Sequence, residues 1–471
     1  MMTHYLETKK AYPDCLLFYR LGDFYEMFFE DARLASKELE LTLTGKECGL
    51  EERAPMCGVP FHAADSYINR LVKRGYKVAV AEQMEDPKLA KGLVKREVIR
   101  VVTPGTVTAA GALEEEKNNY LAAVSEDNGR YGLAFADIST GSFFVTEADG
   151  RKELGDILAE FRPAELLKRK NLSLDGCLRH EEELAISELP DSAFLRDNAI
   201  SLLTEHFRAA TTEALGLSDY PLGTLAAGAA LRYLYDTQKN SCELITELKA
   251  YRGNAYLFID AASRRNLELT ETLRDKNKHG SLLWVLDRTK TAMGARFLRN
   301  LLEKPLLGIP EIEARQDAIQ EFLSRYIDRE ELREYLAPIY DMERLMGRIT
   351  LGSANARDML AFGSSIAALP PIKDLLQSFS APLLRSFSQS LDDLRDLSAL
   401  LARAIADDPP LTLREGHIIK DGYHEDVDRY RRASTEGKQW LAELEERERN
   451  KTGIKNLRIK YNKVFGYYFE V

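Results

Sequence analysis

Apolar and polar residues alternate over short stretches in the first part of the chain, and a helical period appears between them. Alternation is typical of half-buried strands, whereas apolar residues three or four positions apart are typical of helices. Thr103-Pro104-Gly105 ends this pattern and the acidic run Glu114 to Glu116 follows, so a first linker is predicted there. The pattern predicts a mixed α/β domain over residues 1–105, with helices at 30–40 and 63–74, a strand ending at Gly45, and strands at 76–82 and 97–102.

Three strand-like segments open the next part of the chain, residues 118–248. The turns between them, Asp127-Asn128-Gly129 and Ser139-Thr140-Gly141, contain the residues that hairpins favour. Helical patterns follow the strands. This part therefore predicts a second α/β domain, with strands at 120–125, 131–138 and 142–146 and helices that include 156–161 and 222–235.

Helical patterns replace strands almost completely over residues 249–450. Pro370-Pro371 and the stretch 407–410 are predicted breaks between helices. The longest candidate, residues 425–449, has a coiled-coil-like apolar seam that Ser434 and Gly437 weaken. A projecting lever and a helix packed in a bundle are equal alternatives for it. The predicted helices cover residues 281–286, 292–302, 311–326, 329–351, 356–369, 391–406 and 425–449.

Two short alternating segments, LRIKYN and FGYYFEV, end the chain and predict a pair of strands after Gly453. Val471 lies inside the second strand, which indicates truncation because natural proteins rarely end in mid-strand. Seven basic residues and one acidic residue lie between Arg447 and Lys463. The chain has a formal net charge of −10, but such local clustering matters more than net charge for nucleic-acid binding.

Length and composition are those of an ordinary globular protein. At about 100–200 residues per domain, 471 residues predict roughly three or four domains. There is no run of about 18 apolar residues, and the N-terminus is polar, so neither a membrane span nor a signal peptide is predicted. The five cysteines are scattered without close pairs or nearby histidine clusters. This spacing argues against a disulfide framework and a zinc site, and it fits a reducing cytoplasm.

The segment LFYRLGDFYEMFF, residues 17–29, combines an aromatic run with a turn at Gly22-Asp23 and a carboxylate soon after it. If the chain is extended after the turn, Phe24 and Glu26 point to the same face. A flat ring beside an acidic acceptor suits insertion next to a poorly stacked base and hydrogen bonding to the edge of that base. The alternative is that Phe24 lies in a small aromatic core and Glu26 is solvated.

Several strings in this sequence resemble the MutS family of bacterial DNA mismatch-recognition proteins. They are GDFYEMF, MCGVPFHA, TPGT, the long segment from Arg264 to Leu306, and RIKYNKVFGYYFEV, and they occur in the order in which the family has them. The resemblance runs from Leu16 to the end of the chain. The long segment is the most specific part, because its residues follow no generic helix pattern.

The resemblance implies a multi-domain fold: two N-terminal α/β domains, a mostly α-helical core/lever domain, and the start of a β-rich clamp. Mismatch recognition is expected in residues 1–105, a connector of RNase H-like fold in 118–248, the core and lever in 249–450, and a truncated clamp in 451–471. Phe24 and Glu26 would contact the mismatch. Four basic residues of the clamp would contact the DNA backbone: Lys455, Arg458, Lys460 and Lys463.

The family also implies partners and a cofactor. Expected partners are mismatched double-stranded DNA, a second copy in a homodimer of the full-length protein, and a MutL-type repair protein, with a cytoplasmic, nucleoid-associated location and no membrane. ATP and magnesium belong to a C-terminal ATPase domain. The nearest string to a phosphate-binding loop is Thr44-Gly45-Lys46-Glu47, where Glu40 and Glu47 replace the required Gly and Ser or Thr. We therefore predict no catalytic residue, metal site or cofactor site in this chain.

Two other functions are compatible with parts of the sequence. A family relative that works in recombination would lack the first domain or the Phe-x-Glu pair, and both are present here. A nuclease is the other alternative, because a β-meander followed by helices in the second domain could resemble an RNase H-like fold. A nuclease would need clustered carboxylates to bind metal ions. Asp137 is available on a predicted strand, and no suitable partner set accompanies it.

Overall fold

A computed structural model of the chain describes residues 1–47, 53–85, 94–109, 111–177, 184–240, 242–251, 255–462 and 466–471. The chain divides into two compact units. The first contains residues 1–354 and 368–393, and the second contains residues 355–367 and 394–471.

The first unit begins with a six-stranded mixed sheet that helices cover on both sides. The elements are α1 (Met2–Ala11), β1 (Cys15–Leu21), β2 (Phe24–Phe28), α2 (Phe29–Leu39), β3 (Thr44–Lys46), β4 (Ala54–Pro60), α3 (Ala64–Val72), β5 (Lys77–Gln83) and β6 (Arg96–Val102). The strands lie in the order β3-β4-β2-β1-β5-β6. The two central strands, β1 and β5, are buried on both faces along most of their length, because helices cover both faces. Met27 and Val80 pack on the side of α2 and α3, whereas Tyr19 and Phe28 pack on the side of α1.

A second six-stranded sheet follows in the chain. The elements are β7 (Leu121–Asp127), β8 (Arg130–Asp137), β9 (Ser142–Asp149), α4 (Arg151–Phe161), β10 (Glu165–Arg169), β11 (Ala185–Leu189), α5 (Arg196–His206), α6 (Pro221–Gln238) and β12 (Lys249–Ala250). The strands lie in the order β11-β10-β7-β8-β9-β12. Asn128 and Gly129 both have positive φ, which gives the β7–β8 hairpin the turn that its sequence predicts. Helix α6 lies directly on the sheet, and a Cβ at Gly132 would come within 2.0 Å of the Leu222 carbonyl carbon.

The segment after β6, predicted as a linker, is a buried turn. Pro104–Thr106 forms one turn of 3-10 helix. The Gly105 amide donates to the Glu165 carboxylate at 3.0 Å, and the Thr103 hydroxyl donates to the same carboxylate oxygen. This segment thus packs against the second sheet.

The rest of the first unit is helical. The helices are α7 (Ala261–Asn266), α8 (Leu282–Leu286), α9 (Ala292–Glu303), α10 (Ile309–Ser324), α11 (Tyr326–Leu336), α12 (Met342–Thr350), α14 (Leu369–Gln377) and α15 (Pro382–Ser390). The helix predicted over residues 329–351 is two helices, because Asp341 caps the second of them and its carboxylate accepts two hydrogen bonds from Arg296. Pro370-Pro371 begins a helix instead of only separating two, as proline can in a first helical turn.

The second unit contains two packed helices, one long helix and a hairpin. The elements are α13 (Ala356–Ala367), α16 (Arg395–Ala404), α17 (Glu425–Thr452), β13 (Arg458–Asn462) and β14 (Gly466–Glu470). Helix α13 packs against α16. Side chains along the middle of α17, such as Tyr430 and Trp440, are exposed within the described residues. This exposure favours the lever alternative over a helix packed in a bundle.

One stretch of the described chain, residues 356–377, is long and apolar enough to cross a membrane, with a mean hydropathy of 1.2 over its best window. Length and composition are the only grounds for this. A core helix of a soluble protein passes the same test, so the stretch is weak evidence for a membrane span.

Candidate nucleic-acid interface

The Phe24 side chain stands at the tip of the β1–β2 hairpin. Leu21 pairs with Phe24 across a two-residue loop, and Gly22 takes the positive φ of +61° that this tight turn needs. Phe24 is 47% exposed, whereas Tyr25 is buried. Strand alternation therefore places Phe24 and Glu26 on one face, as the sequence predicts.

Helix α1 explains why Phe24 is exposed while the next aromatic residue on its face is not. Tyr5 packs edge-on against Phe28 and Tyr19, with ring centroids 4.9 and 5.4 Å away. Phe28 is consequently 1% exposed. The alternative of Phe24 in a small aromatic core is not what the structure has.

Arg20 anchors the hairpin tip from the opposite face of the sheet. Its Nε donates to the Gly22 carbonyl at 2.5 Å, and its guanidinium lies 3.9 Å from the centre of the Phe61 ring. Its Nη1 also contacts Glu82 at 3.1 Å. The Arg20 side chain is only 5% exposed, so these contacts hold the loop that presents Phe24 in one position.

The Tyr25 hydroxyl joins the same support by donating to the Glu82 carboxylate. Burial raises the pKa of Tyr25, and the hydrogen bond to Glu82 raises it further. The hydroxyl therefore stays protonated near neutral pH and remains a donor. Tyr25 thus stabilises the back of the hairpin and contributes no charge to the exposed face.

Glu26 is neither free nor fully solvated. Its Oε2 atom lies 2.5 Å from Nζ of Lys46, the last residue of edge strand β3, and its side chain is 15% exposed. A Cβ at Gly58, its partner on β4, would lie 3.5 Å from the Glu26 Cγ. The sequence did not predict the Lys46 contact, because the pair is twenty residues apart and no periodic pattern links its members.

The basic residues proposed to contact the DNA backbone lie in the second unit. Lys455 is in the loop before β13, Arg458 and Lys460 are on β13, and all three are exposed. Lys460 pairs with Glu470 on β14, and this hydrogen bond raises the pKa of Lys460. Lys463 lies outside the described residues.

Lys95 and Arg96, two adjacent basic residues at the start of β6, differ in role. Arg96 is buried: its Nε donates to the Arg20 carbonyl at 2.7 Å, and its guanidinium lies 5.3 Å from the Tyr19 ring centre. The sequence alone favours generic surface charge for Arg96 as for Lys95, and for Arg96 this is wrong, because a local charge pattern does not reveal a buried carbonyl. Lys95 is exposed and pairs with Glu97 at 2.6 Å.

Asp137, the carboxylate considered for a nuclease, is fully buried, and its carboxylate oxygens accept hydrogen bonds from protein groups. Its oxygens accept from Asn118 Nδ2, the Asn119 amide, and both the amide and hydroxyl of Ser139, at 2.7–3.0 Å. Among the described residues no group of three or more metal-ligating side chains occurs. Asp137 is therefore a structural residue that fixes the strand end.

Comparison with known proteins gives three successive domain matches. Residues 1–111 match MutS domain I, residues 119–248 match MutS domain II, and residues 262–463 match MutS domain III. Proteins named DNA mismatch repair protein MutS are similar over the whole chain. The relative from Lachnoclostridium phytofermentans is 54% identical, and those from Ruminiclostridium cellulolyticum and Acetivibrio thermocellus are each 50% identical.

The chain spans about half the length of these relatives: 51%, 54% and 55% of their residues, respectively. The three domain matches are in order, do not overlap, and agree with two α/β sheets followed by helices. The exposed Phe24 with its neighbouring carboxylate lies inside the first match. The chain belongs to the MutS family.

Proposed function

We propose that this chain recognises mismatched or looped DNA to initiate mismatch repair, and that Phe24 inserts its ring beside the mismatched base. The observation that carries the proposal is an aromatic ring left exposed at a hairpin tip that Arg20 holds in place. An ordinary solvent-facing loop has no need of such a buried anchor. A ring that must enter a base stack does, because positional freedom lost on binding reduces affinity.

Mismatch selectivity follows from the energy of DNA deformation. A mismatched pair stacks poorly, so its step is more easily kinked than a paired step. Inserting an apolar wedge costs a few kcal/mol of unstacking, and least where stacking is already damaged. Ring–base stacking returns about 1–3 kcal/mol. The same wedge therefore favours damaged steps without reading sequence.

Glu26 would accept a hydrogen bond from the edge of the displaced base. It points to the same face as Phe24, two residues along β2. A carboxylate near the phosphate backbone also opposes binding to ordinary duplex, so it contributes a repulsive element to specificity. Its ion pair with Lys46 moderates that repulsion in the protein without DNA.

The remaining parts of the chain would hold the duplex and connect domains. We assign mismatch recognition to residues 1–105, the connector to 118–248, the core and lever to 249–450, and the start of the clamp to 451–471. Lys455, Arg458, Lys460 and Lys463 would contact phosphates without reading sequence. The exposure of Lys455, Arg458 and Lys460 supports this role, because an exposed cation can reach a phosphate.

We further propose that the chain works within a longer protein, as the length of its relatives suggests. That longer protein would be a cytoplasmic, nucleoid-associated homodimer that hydrolyses ATP with magnesium in a separate domain and engages a MutL-type partner. Hydrolysis is not assigned to residues 1–471, whose sequence has no phosphate-binding loop of the GxxxxGK[ST] type.

A titration with two duplexes that differ by one mismatch tests the function, and Glu26→Gln tests the role of the carboxylate. The wild-type longer protein should bind the mismatched duplex more tightly. Glu26→Gln should bind the paired duplex more tightly than wild type, because it removes a negative charge that faces the phosphate backbone, and its mismatch preference should shrink.

Glu47→Gln is a matched control, since it removes a carboxylate next to Lys46 that contacts Arg53 and not Glu26. It should leave the ratio of the two affinities unchanged. A wild type without preference would refute the function, and weaker paired-duplex binding by Glu26→Gln would refute the repulsive role of Glu26.

A further inference from the structure

We propose that a cavity in the first unit binds a small phosphate monoester that carries hydroxyl groups, the chemistry shared by sugar phosphates and nucleoside monophosphates. The cavity has a volume of about 570 Å³. This lies within the range of about 300–1,000 Å³ that is usual for small-molecule sites in proteins. The inference is independent of mismatch recognition, because neither Phe24 nor Glu26 lines this cavity.

Three parts of the first unit form the walls of the cavity. Residues of the segment 111–120 lie between the first sheet and the second, residues 160–162 are at the end of helix α4, and residues within 299–304 are at the end of helix α9. Lys73, directly after α3, also lines it. A bound ligand would therefore contact both α/β domains and the helical part, and its binding free energy would stabilise their arrangement.

Arg299 is the strongest indication of a ligand in this cavity. It is 8% exposed, and its Nε has no hydrogen-bond partner among the residues that the structure describes. Its ion pair with Glu303 spans 3.7 Å from Nη1 to Oε1, which is too long for a hydrogen bond. A buried guanidinium with unmet donors is costly, and its planar fork matches the oxygens of a phosphate group.

Tyr120 brings a second donor without a protein acceptor to the same cavity. The residue is 7% exposed, and its hydroxyl forms no hydrogen bond within the described part of the chain. Burial raises the pKa of Tyr120, so the hydroxyl stays protonated near neutral pH and remains a donor. The ring packs edge-on against Phe161, with centroids 5.4 Å apart, and this contact fixes the position of the hydroxyl.

Lys304, in the same wall, already has protein partners. Its Nζ pairs with Glu160 at 3.5 Å and lies 3.6 Å from the centre of the Phe161 ring. Burial lowers the pKa of Lys304. Lys304 therefore belongs to the structure of the wall, whereas Arg299 and Tyr120 keep donors for a ligand.

The charges around the cavity favour an anion that also carries hydroxyl groups. Five basic and three acidic side chains line it. A phosphate monoester, with a charge of about −1.5 to −2 at pH 7, suits this excess of positive charge. Glu303, whose side chain is 13% exposed beside Arg299, can accept a hydrogen bond from a ligand hydroxyl. A sugar phosphate therefore matches both Arg299 and Glu303, whereas inorganic phosphate matches only Arg299.

Calorimetric titration of the longer protein with ribose 5-phosphate tests the site. Wild type should bind ribose 5-phosphate and should not bind ribose, which lacks the anionic group. Tyr120→Phe removes the hydroxyl and keeps the ring, and it should raise Kd about tenfold or more, because a hydrogen bond to a charged group is lost. Arg299→Gln should raise Kd further, because it removes both the charge and the planar fork.

Two controls separate loss of the site from loss of the fold. Tyr131→Phe removes a hydroxyl from another buried tyrosine of the second sheet, 4% exposed and outside the cavity lining, and it should bind as wild type does. Thermal melting should show each variant folded; if Arg299→Gln is not, Tyr120→Phe decides alone. No wild-type binding at millimolar ribose 5-phosphate would overturn the site, and so would a Kd that Tyr120→Phe leaves unchanged or that Tyr131→Phe raises equally.

Titration with adenosine 5′-monophosphate distinguishes the two sources of this chemistry. Tighter binding than that of ribose 5-phosphate, weakened in Tyr120→Phe, would identify a nucleoside monophosphate as the ligand. Binding no tighter than that of ribose 5-phosphate would identify a sugar phosphate. Nucleotide binding that Tyr120→Phe leaves unchanged would lie at another site, and a sugar phosphate would then remain the ligand of this cavity.

Discussion

Replacing Phe24 with alanine is expected to abolish discrimination between mismatched and paired DNA in the longer protein. The ring is 47% exposed at an anchored hairpin tip, so it can enter a base stack without unfolding strand β2. Loss of about 1–3 kcal/mol of stacking corresponds to a fall of about 5- to 150-fold in mismatch affinity. Paired-duplex affinity should hardly change, so the ratio of the two should approach one.

Stability and a second exposed ring serve as controls for Phe24→Ala. The variant should stay folded and lose less than the about 3–5 kcal/mol that truncating a fully buried Phe costs, because the side chain is 47% exposed. Phe387→Ala removes a ring of similar exposure, 50%, from helix α15, and should leave the affinity ratio as in wild type. Equal affinity ratios for Phe24→Ala and wild type would contradict the wedge.

Replacing the four basic clamp residues with glutamine is expected to weaken binding to all duplexes alike. These residues are Lys455, Arg458, Lys460 and Lys463. Interactions with phosphates carry no sequence information, so mismatched and paired affinities should fall together. Removing one phosphate interaction should reduce the magnitude of the salt slope by about 0.9. Lys455 and Arg458 should account for more of the effect than Lys460, whose charge is already shared with Glu470.

Removing the same number of charges elsewhere separates direct binding from general electrostatics. Lys10, Lys37, Lys152 and Lys170 are exposed lysines of the first unit, and their quadruple glutamine variant should leave the salt slope near that of wild type. If the clamp variant keeps the wild-type slope, its four residues are solvated in the complex. If both variants reduce the slope equally, net charge is responsible, and the clamp assignment fails.

The sequence predicted the local elements well wherever a residue pattern determines them. The strand after Gly22 and the two hairpins after residues 118 and 453 were confirmed, because turn residues and strict alternation act over a few neighbouring positions. Helix α1 was missed because its sequence is mostly polar and only Tyr5 is buried in it. Its role becomes visible only once Tyr5 is placed against Phe28.

The exposure of Phe24 and the partner of Glu26 depend on tertiary structure. Alternation places the two side chains on one face, but whether that face is covered depends on how far α1 extends along it. The Glu26–Lys46 ion pair joins β2 to a strand two positions away in the sheet, and no local rule predicts it. The sequence drew attention to Lys46 only as part of a string that fails as a phosphate-binding loop.

The break between α11 and α12 illustrates the same limit in the helical part. Residues 329–351 are helical in pattern, yet Asp341 stops that pattern by capping α12. The cap is reinforced by Arg296, which is buried and lies on a helix far away in sequence. A carboxylate inside a helical pattern can either continue the helix or cap the start of a new one. At Asp341 the contact with the distant Arg296 favours the cap.

Entry of Phe24 into the stack beside a mismatch can be observed with a fluorescent adenine analogue placed next to the mismatched base. Emission of such an analogue rises when its neighbours unstack. The wild-type longer protein should raise the emission on the mismatched duplex and leave it unchanged on the paired one, and Phe24→Ala, at concentrations that saturate the DNA, should raise neither. An equal rise with Phe24→Ala and wild type would contradict insertion of the ring, because unstacking would then occur without it.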